Sequence, residues 1–495
     1  MEAGLIWISQ HWLAVVFLMG YTVVLLVNAW VGRRASTGMT GYYVGNRRMG
    51  GVAIGVSFYA TFASTNSYIG HAGKGYAYGL PWFFLAVSLI VFTYLSWRFV
   101  GPKLRAFAAS FDALTLPDFL GSRFLGAQDR ADHPLRVVSA LVIVFASLLY
   151  LIAIFKGSGH LFQQFLGISY EAAVFVTLSI VVVYTSVGGF VSVVRTDVLQ
   201  GGLMVLGAMM IFYFVTDAAG GVGAIMTLAE MPDKQHLFEL NGGIPFAILV
   251  GISLSGALKL IVDPRQLSRF YALKDDREVK RGIWVAIIGL TIVQVCIFPV
   301  GVYSHLILDS VTDTDLIVPT LVADPNVFPL WAGDFLIVAI VAAGMSSIDS
   351  VLLVAASTLF KNMVVPFVAV QSEVRWTRVA IVGFAAVAAL LALNPPGDIV
   401  EITIFSGSLY AACFLPAVVL GLHWHLGSPR AVLASMAGGV ATLLTWLAAG
   451  LRENLHEVFP ALLVSFALFV LIAKNSESMD PRLLDKSASE NPGGH

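Results

Sequence analysis

Charge is what this chain has least of. Asp, Glu, Lys and Arg make up 12% of its 495 residues, about half the share of a soluble domain. The net charge of −1 argues neither for nor against nucleic acid by itself, and no nucleic-acid partner is expected. Cysteine is nearly absent. Cys296 and Cys413 both fall in apolar stretches and read as small buried hydrophobes rather than a disulfide or a metal site. No motif pairs a nucleophile with its base, so the chain does not read as an enzyme. Long polar segments are missing too, which leaves no room for a separate soluble domain. The 22-residue tail from Lys474 is polar, contains Pro and Gly and reads as disordered; it is too short for a signalling kinase.

Apolar residues fill the space that charge leaves: 58% of the chain is hydrophobic and the mean hydropathy is +0.84. The class is therefore an all-α polytopic membrane protein in a lipid bilayer. Runs near the ~20 residues that a bilayer requires number about thirteen, at 12–32, 50–71, 80–100, 136–162, 170–188, 197–218, 243–262, 283–306, 333–360, 376–394, 399–423, 430–450 and 456–473. The first, from about Trp12 to Val31, lacks a basic n-region and is long enough to span, so it reads as a helix rather than a removable signal. One set of alternate loops holds 24 of the 29 Lys and Arg, Arg265, Arg269 and Lys361 among them. The opposite loops hold Lys74, Lys234 and Arg452, while Lys156 and Lys259 lie within spans. The positive-inside rule then places the N-terminus outside and the C-terminus in the cytoplasm.

Two spans carry polar interruptions. In the second, "GVAIGVSFYATFASTNSYIGHAGKGYAYG", apolar character gives way over Thr61 to Ser67 and again at Gly70, Gly73 and Gly75. A helix broken at membrane depth must satisfy its freed backbone groups, and transporters use such breaks to bind substrate and cations. Small residues for close helix packing are the plainer account. In the ninth span, "AAGMSSIDSVLLVAAS", Ala343, Ser346 and Ser347 stand at i, i+3 and i+4 on one face. Two hydroxyls and a carbonyl there, opposite the carbonyls of a broken helix, make an oxygen cage suited to a hard cation such as sodium. Asp349 lies on a similar face. It would supply charge to a cation, carry a proton, or pair with a lysine or a broken-helix amide.

The stretches "YYVGNRRMGG", "YTSVGGFVSVVRTDVLQG" (Tyr184 to Gly201), "DPRQLSRFYALKD" (Asp263 to Asp275) and "AAGMSSIDS" carry a resemblance over nearly the whole chain. The chain resembles the sodium:solute symporter family, which includes bacterial proline, pantothenate and sialic acid carriers and animal sodium–glucose cotransporters. The resemblance implies a leucine-transporter-type core of two inverted five-helix repeats plus extra helices. It divides the chain into an N-terminal helix (1–35), a first repeat (36–225, spans two to six), a second repeat (226–425, spans seven to eleven), two further helices (426–473) and the tail (474–495). It implies a sodium ion (Na+) held by the carbonyls of Ala60, Ala63 and Ala343 and the hydroxyls of Ser346 and Ser347. Some members hold a second sodium at the Asp of the TD motif, here Asp197, with serines matching Ser346 and Ser350; Asp349 stands where such sites carry a serine. A plainer role for Asp197 is a pair with Arg195 or another basic loop.

For the solute, "STGMTGYYVGNRRMGG", "DLIVPTL" and "NPPGDIVEITIFSG" resemble the pantothenate branch and imply a small organic acid, pantothenate or a monocarboxylate. The expected substrate contacts are Phe62, Ser64, Thr65, Asn66 and Ser67 at the broken helix, with Lys156. An intramembrane lysine is costly and normally partnered: Lys156 would meet a substrate carboxylate, pair with Asp349, or snorkel outward. In the seventh span Gly251, Ser253, Ser255 and Gly256 offer the small residues that a break needs, and Lys259 is expected to snorkel towards the cytoplasm. His71 and His160 read as packing residues or pathway groups. The expected function is sodium-coupled import of the solute by a monomer or weak oligomer in a bacterial plasma membrane. A proton-coupled or sodium-independent carrier is the alternative, as is a proline, sugar or sialic acid substrate.

Overall fold

The computed structural model describes residues 11–36, 38–309 and 311–476. Most of the polar tail, from 477 on, lies outside the described residues. In chain order the longer helices are α1 (Trp12–Ala35), α2 (Gly51–Phe62), α3 (His71–Tyr78), α4 (Leu80–Ser110), α5 (Leu116–Phe124), α6 (Pro134–Leu166), α7 (Tyr170–Ala218) and α8 (Phe246–Val262). There follow α9 (Pro264–Ala272), α10 (Asp276–Ile297), α11 (Ile317–Ala323), α12 (Leu330–Leu359), α13 (Glu373–Ala392), α14 (Ile399–His423), α15 (Pro429–Ala448) and α16 (Val458–Lys474). Among the described residues the β structure is an isolated bridge between Met49 and Leu273.

Among the described residues, ten helical runs are long and apolar enough to cross a membrane. Each of the thirteen apolar stretches read from the sequence is helical, with ends shifted by a few residues. The eighth begins seven residues earlier, at Asp276, because a helix does not stop where its hydrophobicity does. α7 has 49 residues, about 74 Å of helix at 1.5 Å per residue against ~30 Å of hydrocarbon. Gly189 divides it with φ 66° and ψ −169°, a conformation that a side chain would strain.

α12 and α14 are buried on nearly every face, whereas α1 turns Trp12, Met19, Val23, Val27 and Trp30 outward. The buried pair forms the centre and α1 lies at the lipid-facing edge. α1 approaches α7 so closely that a Cβ on Gly32 would stand 2.6 Å from the Gly188 carbonyl.

The second span is broken where the polar run predicts. α2 ends at Phe62 and Ala63 is extended (φ −74°, ψ 105°). The Ser64 hydroxyl then accepts the Asn66 N–H at 3.2 Å and its carbonyl accepts those of Ser67 and Tyr68. Ser, Thr and Asn side chains offer the backbone such alternatives to helix. A wide turn over Asn66–Gly70 leads back into α3.

The seventh span breaks elsewhere than expected. α8 runs unbroken through Gly251 and Gly256, where the absence of side chains admits His456 and Leu85 instead. The interruption falls at Asp263, extended at φ −65° and ψ 122°. Pro264 causes it, since its ring pushes the preceding residue out of the helical region. Asp263 then caps α9 by accepting the Arg265 N–H at 2.9 Å.

Ion pairs tie the ends of the bundle. Asp118 on α5 accepts N–H groups of Leu114 and Thr115 at 3.1 Å, an Arg136 N–H at 2.6 Å and a bond from Lys361. Burial pushes this carboxyl up, but the charges of Lys361 and Arg136 and the hydrogen bonds outweigh it and hold the carboxyl down at about 2. A depressed carboxylate stabilises the fold above its unfolded value and loses that contribution as pH falls through the folded one. Asp118→Asn is therefore expected to cost ~2 kcal/mol at pH 7, with the gap to wild type shrinking as pH drops from about 5 towards 2. Thermal melts across that range check it; a gap that widened towards acid pH would contradict it.

Candidate functional site

Several of the residues expected to hold a cation come together where α2 is interrupted against α12. Ser346 Oγ lies 2.9 Å from the Ala60 carbonyl and 3.0 Å from that of Ala343. Ser347 Oγ donates to the carbonyl of Thr61 at 2.9 Å, so Thr61 joins the set. Ala63 stands at the break itself and is fully buried. All the donors are neutral oxygens, and both serines are fully buried. The set fits a hard monovalent cation, which prefers oxygen ligands, and offers no nitrogen or sulfur for a transition metal.

One helical turn along α12, a built-in cation occupies the region expected to hold a second ion. Arg269, fully buried on α9, donates to Asp197 Oδ2 at 3.0 Å, Thr61 Oγ1 at 2.6 Å, Ser350 Oγ at 2.6 Å and Ser57 Oγ at 3.1 Å. Ser57 also donates to Asp197 at 2.5 Å, and Ser350 to Asp349 Oδ1 at 3.2 Å. Asp197 Oδ1 and Asp349 Oδ2 have no hydrogen-bond partner.

Asp197 pairs with a basic residue counted above among the loop charges. It pairs with Arg269 rather than Arg195, because residues two apart on a helix face different ways and Arg195 is exposed. Arg265 and Arg269, counted above as loop charges, are both interior, since every residue of α9 is buried.

Beside these residues lies the candidate solute site, a narrow cleft with about 20 Å³ of free space, room for about one water. Phe62, Asn66 and Ser67 line it as expected, together with His71 on α3, Tyr150 on α6 and Thr403 on α14. Asn66 donates to the His71 ring at 3.3 Å, and that ring stacks on Phe298 at 4.8 Å. Ser64 and Thr65 do not line the cleft. Ser64 holds the turn, and Thr65 is wedged where Gly157 and Gly344 lack side chains, so for Thr65 the close-packing account describes what is seen.

Lys156 is also outside the cleft. It donates to Asp315 at 2.8 Å and to the Gly397 carbonyl at 3.3 Å, not to Asp349. A second pair, Lys74 to Asp398 at 2.7 Å, lies on a neighbouring contact between the same parts of the chain. Lys156→Met is expected to lower the melting temperature by removing one partner of a largely buried pair, at ~3 kcal/mol. Half-saturation for solute is expected to stay within about twofold of wild type, well under the tenfold that 1.36 kcal/mol would produce. Melting and uptake measured on one preparation separate this from substrate contact.

Lys259 and Arg265 line the cleft, and sequence reasoning missed both. Lys259 does not snorkel: it is 4% exposed and donates to the Thr403 carbonyl at 3.1 Å. His160 packs against Tyr170 at 5.1 Å.

A helical bundle that crosses the membrane many times, with helices interrupted around an oxygen-lined centre, defines a secondary active transporter rather than an enzyme. The family model described as "Sodium:solute symporter family" matches residues 42–439, and the chain belongs to that family. It is 30% identical to the osmoregulated proline transporter OpuE of Bacillus subtilis over 92% of this chain and 93% of that one. It is 28% identical to the sodium/pantothenate symporter of Haemophilus influenzae, over 91% and 93%. In structure it is similar to a Na+-coupled sialic acid symporter in a substrate-bound outward-open state, with a TM-score of 0.76 at 19% identity, covering 94% of this chain and 98% of that one. A nucleobase-cation-symport-1 family transporter matches with a TM-score of 0.56 at 13% identity, over 90% and 98%. The fold is the leucine-transporter type, as the sequence motifs imply.

Proposed function

We propose that the protein is a sodium-coupled symporter that imports a small organic carboxylate, such as pantothenate or another monocarboxylate, by alternating access across a bacterial plasma membrane. The observation that carries the reading is the Ser346 hydroxyl joining the Ala60 and Ala343 carbonyls at the break of the second span. A sodium ion bound there holds the interrupted helix against α12, and the adjoining cleft takes the solute. Each then favours the closed form for the other, by a coupling of ~1–3 kcal/mol. The sodium/pantothenate relatives support the solute class, and the segregation of Lys and Arg supports an external N-terminus. The two repeats at 36–225 and 226–425 would rock about this centre. Because Arg269 fills the second cation region, the stoichiometry in this reading is one sodium per solute.

Proton coupling is the second reading, favoured by one feature: Asp197 and Asp349 are both buried, and a single guanidinium bonds Asp197 directly and reaches Asp349 only through the Ser350 hydroxyl. Uptake into proteoliposomes separates the two. Accumulation driven by an inward sodium gradient at equal pH supports sodium coupling, and accumulation driven by a pH gradient in potassium overturns it.

A further inference from the structure

Lys259 has a carbonyl and a ring for company but no carboxylate. Its ammonium bonds Thr403 O at 3.1 Å and stands 4.4 Å from the centroid of Tyr150. Among the described residues no Asp or Glu lies within ion-pair distance of it. A buried ammonium without a counter-charge is one of the most costly states in a protein interior.

The nearest charged groups are Arg265 and Asp263, and they belong to each other. Asp263 takes Arg265 Nε at 3.0 Å through both oxygens and Nη2 at 2.5 Å. Arg265 lies over the same Tyr150 ring at 3.9 Å, so two cations flank one aromatic face. Asp263 neutralises one of them, which leaves the cleft wall with one positive charge in excess. Asp263 also leaves Arg265 Nη1 without any hydrogen-bond partner, although Arg265 is 2% exposed. Lys259 and Arg265, which carry the uncompensated ammonium and the unused guanidinium N–H, both line the same cleft as Asn66 and Thr403.

We propose that Lys259 and Arg265 Nη1 form the anion-recognising end of the solute site, and that they take the carboxylate of a singly charged solute. This rests on the reading of the cleft as the solute site. One carboxylate supplies the missing negative charge and has two oxygens, one for the ammonium and one for the guanidinium N–H. A dianion would exceed the available positive charge, and a sugar or an amide would leave Lys259 uncompensated. Charge-assisted bonds in a dry site are the stronger kind, so the discrimination against an uncharged isostere is large. Tyr150 holds both cations through its ring face, which fixes their spacing before the solute arrives.

The test is thermal stabilisation of the purified full chain, read as half-saturation by each ligand. The ligands are pantothenate, pyruvate and propionate, each beside its amide, measured in sodium and in potassium. The expected result is that at least one carboxylate stabilises the wild type and its amide binds at least tenfold more weakly. In Lys259→Met that carboxylate loses at least tenfold in affinity, while stabilisation by sodium alone persists; Lys259→Arg restores part of the carboxylate affinity. An amide that binds as well as its carboxylate, a Lys259→Met variant with unchanged carboxylate affinity, or a panel in which no carboxylate binds would each overturn the proposal. The amide comparison needs no variant, so it stands even if Lys259→Met fails to fold. Carboxylate binding that depends on Lys259 but is equal in sodium and potassium would keep the anion site and remove the sodium coupling.

Discussion

Ser346→Ala is expected to raise the sodium concentration for half-maximal uptake by about tenfold to a hundredfold, with only a small loss of folding stability. Its hydroxyl lies within 3.0 Å of two of the carbonyls that line the cage. Replacing it deletes one cation ligand and leaves the other oxygens further apart in function than in space. A bond between a neutral oxygen and a charged partner contributes ~1.5–3 kcal/mol, which is one to two factors of ten in affinity. The folding cost is smaller, ~1 kcal/mol, because the bonds lost are ordinary hydroxyl-to-carbonyl bonds. Sodium titrations of uptake and of melting temperature, made on the same preparation, read both quantities. Ser347→Ala is expected to move in the same direction, since its hydroxyl meets the Thr61 carbonyl of the same broken helix. If Ser346→Ala kept the sodium dependence of the wild type, the cage would lie elsewhere.

Arg269→Ala is expected to be the most damaging single change, costing ~3–5 kcal/mol, the usual penalty for removing one partner of a buried ion pair. The guanidinium answers Asp197 and three hydroxyls at once. Without it the buried carboxylate of Asp197 loses its ion-pair partner, and the buried Asp349 loses the cation bonded to its neighbour Ser350. A loss of that size is a large part of the total stability of most folds, so low yield of folded protein is part of the expected result. The double variant Arg269→Ala with Asp197→Asn is expected to recover much of the loss by removing the stranded charge. Arg269→Lys should fall between, since an ammonium keeps the charge but not the planar fork. Melting curves in detergent at pH 7 decide the order. A wild-type melting temperature for Arg269→Ala would show that the guanidinium is not what neutralises these acids.

The parts of this molecule legible in its sequence are those encoded by neighbours along the chain. The break after Phe62 follows from a run of Ser, Thr and Asn that competes for its own backbone, and the pairing of Ser346 with Ala343 follows from helical spacing. The break at Asp263 was legible as well, in an Asp–Pro pair, although the small residues Gly251, Ser253, Ser255 and Gly256, about two to three turns earlier, match the polar pattern of the second span more closely. What could not be read was which charge meets which. Asp315 and Lys156 are 159 positions apart and Asp197 and Arg269 are 72 apart, and only the folded arrangement brings them together. Arg265 and Arg269 follow an apolar run and so look like the start of a loop. Their burial comes from a short helix that the rest of the bundle encloses. Arg269 directly before Phe270 and Tyr271 was the available hint.

The four-way grip of Arg269 has a mechanical consequence. Its side chain ties Ser57 and Thr61 on α2, Asp197 on α7 and Ser350 on α12 into one unit, much as a rivet joins plates. Those segments cannot slide apart without stranding a charge in hydrocarbon. Past the extended residue Ala63 the chain is tied by separate bonds, Lys74 to Asp398 among them. Flexing at that break would then work against a leaf that is already fixed, and under the proposed function a sodium ion held by Ser346 would latch the other leaf.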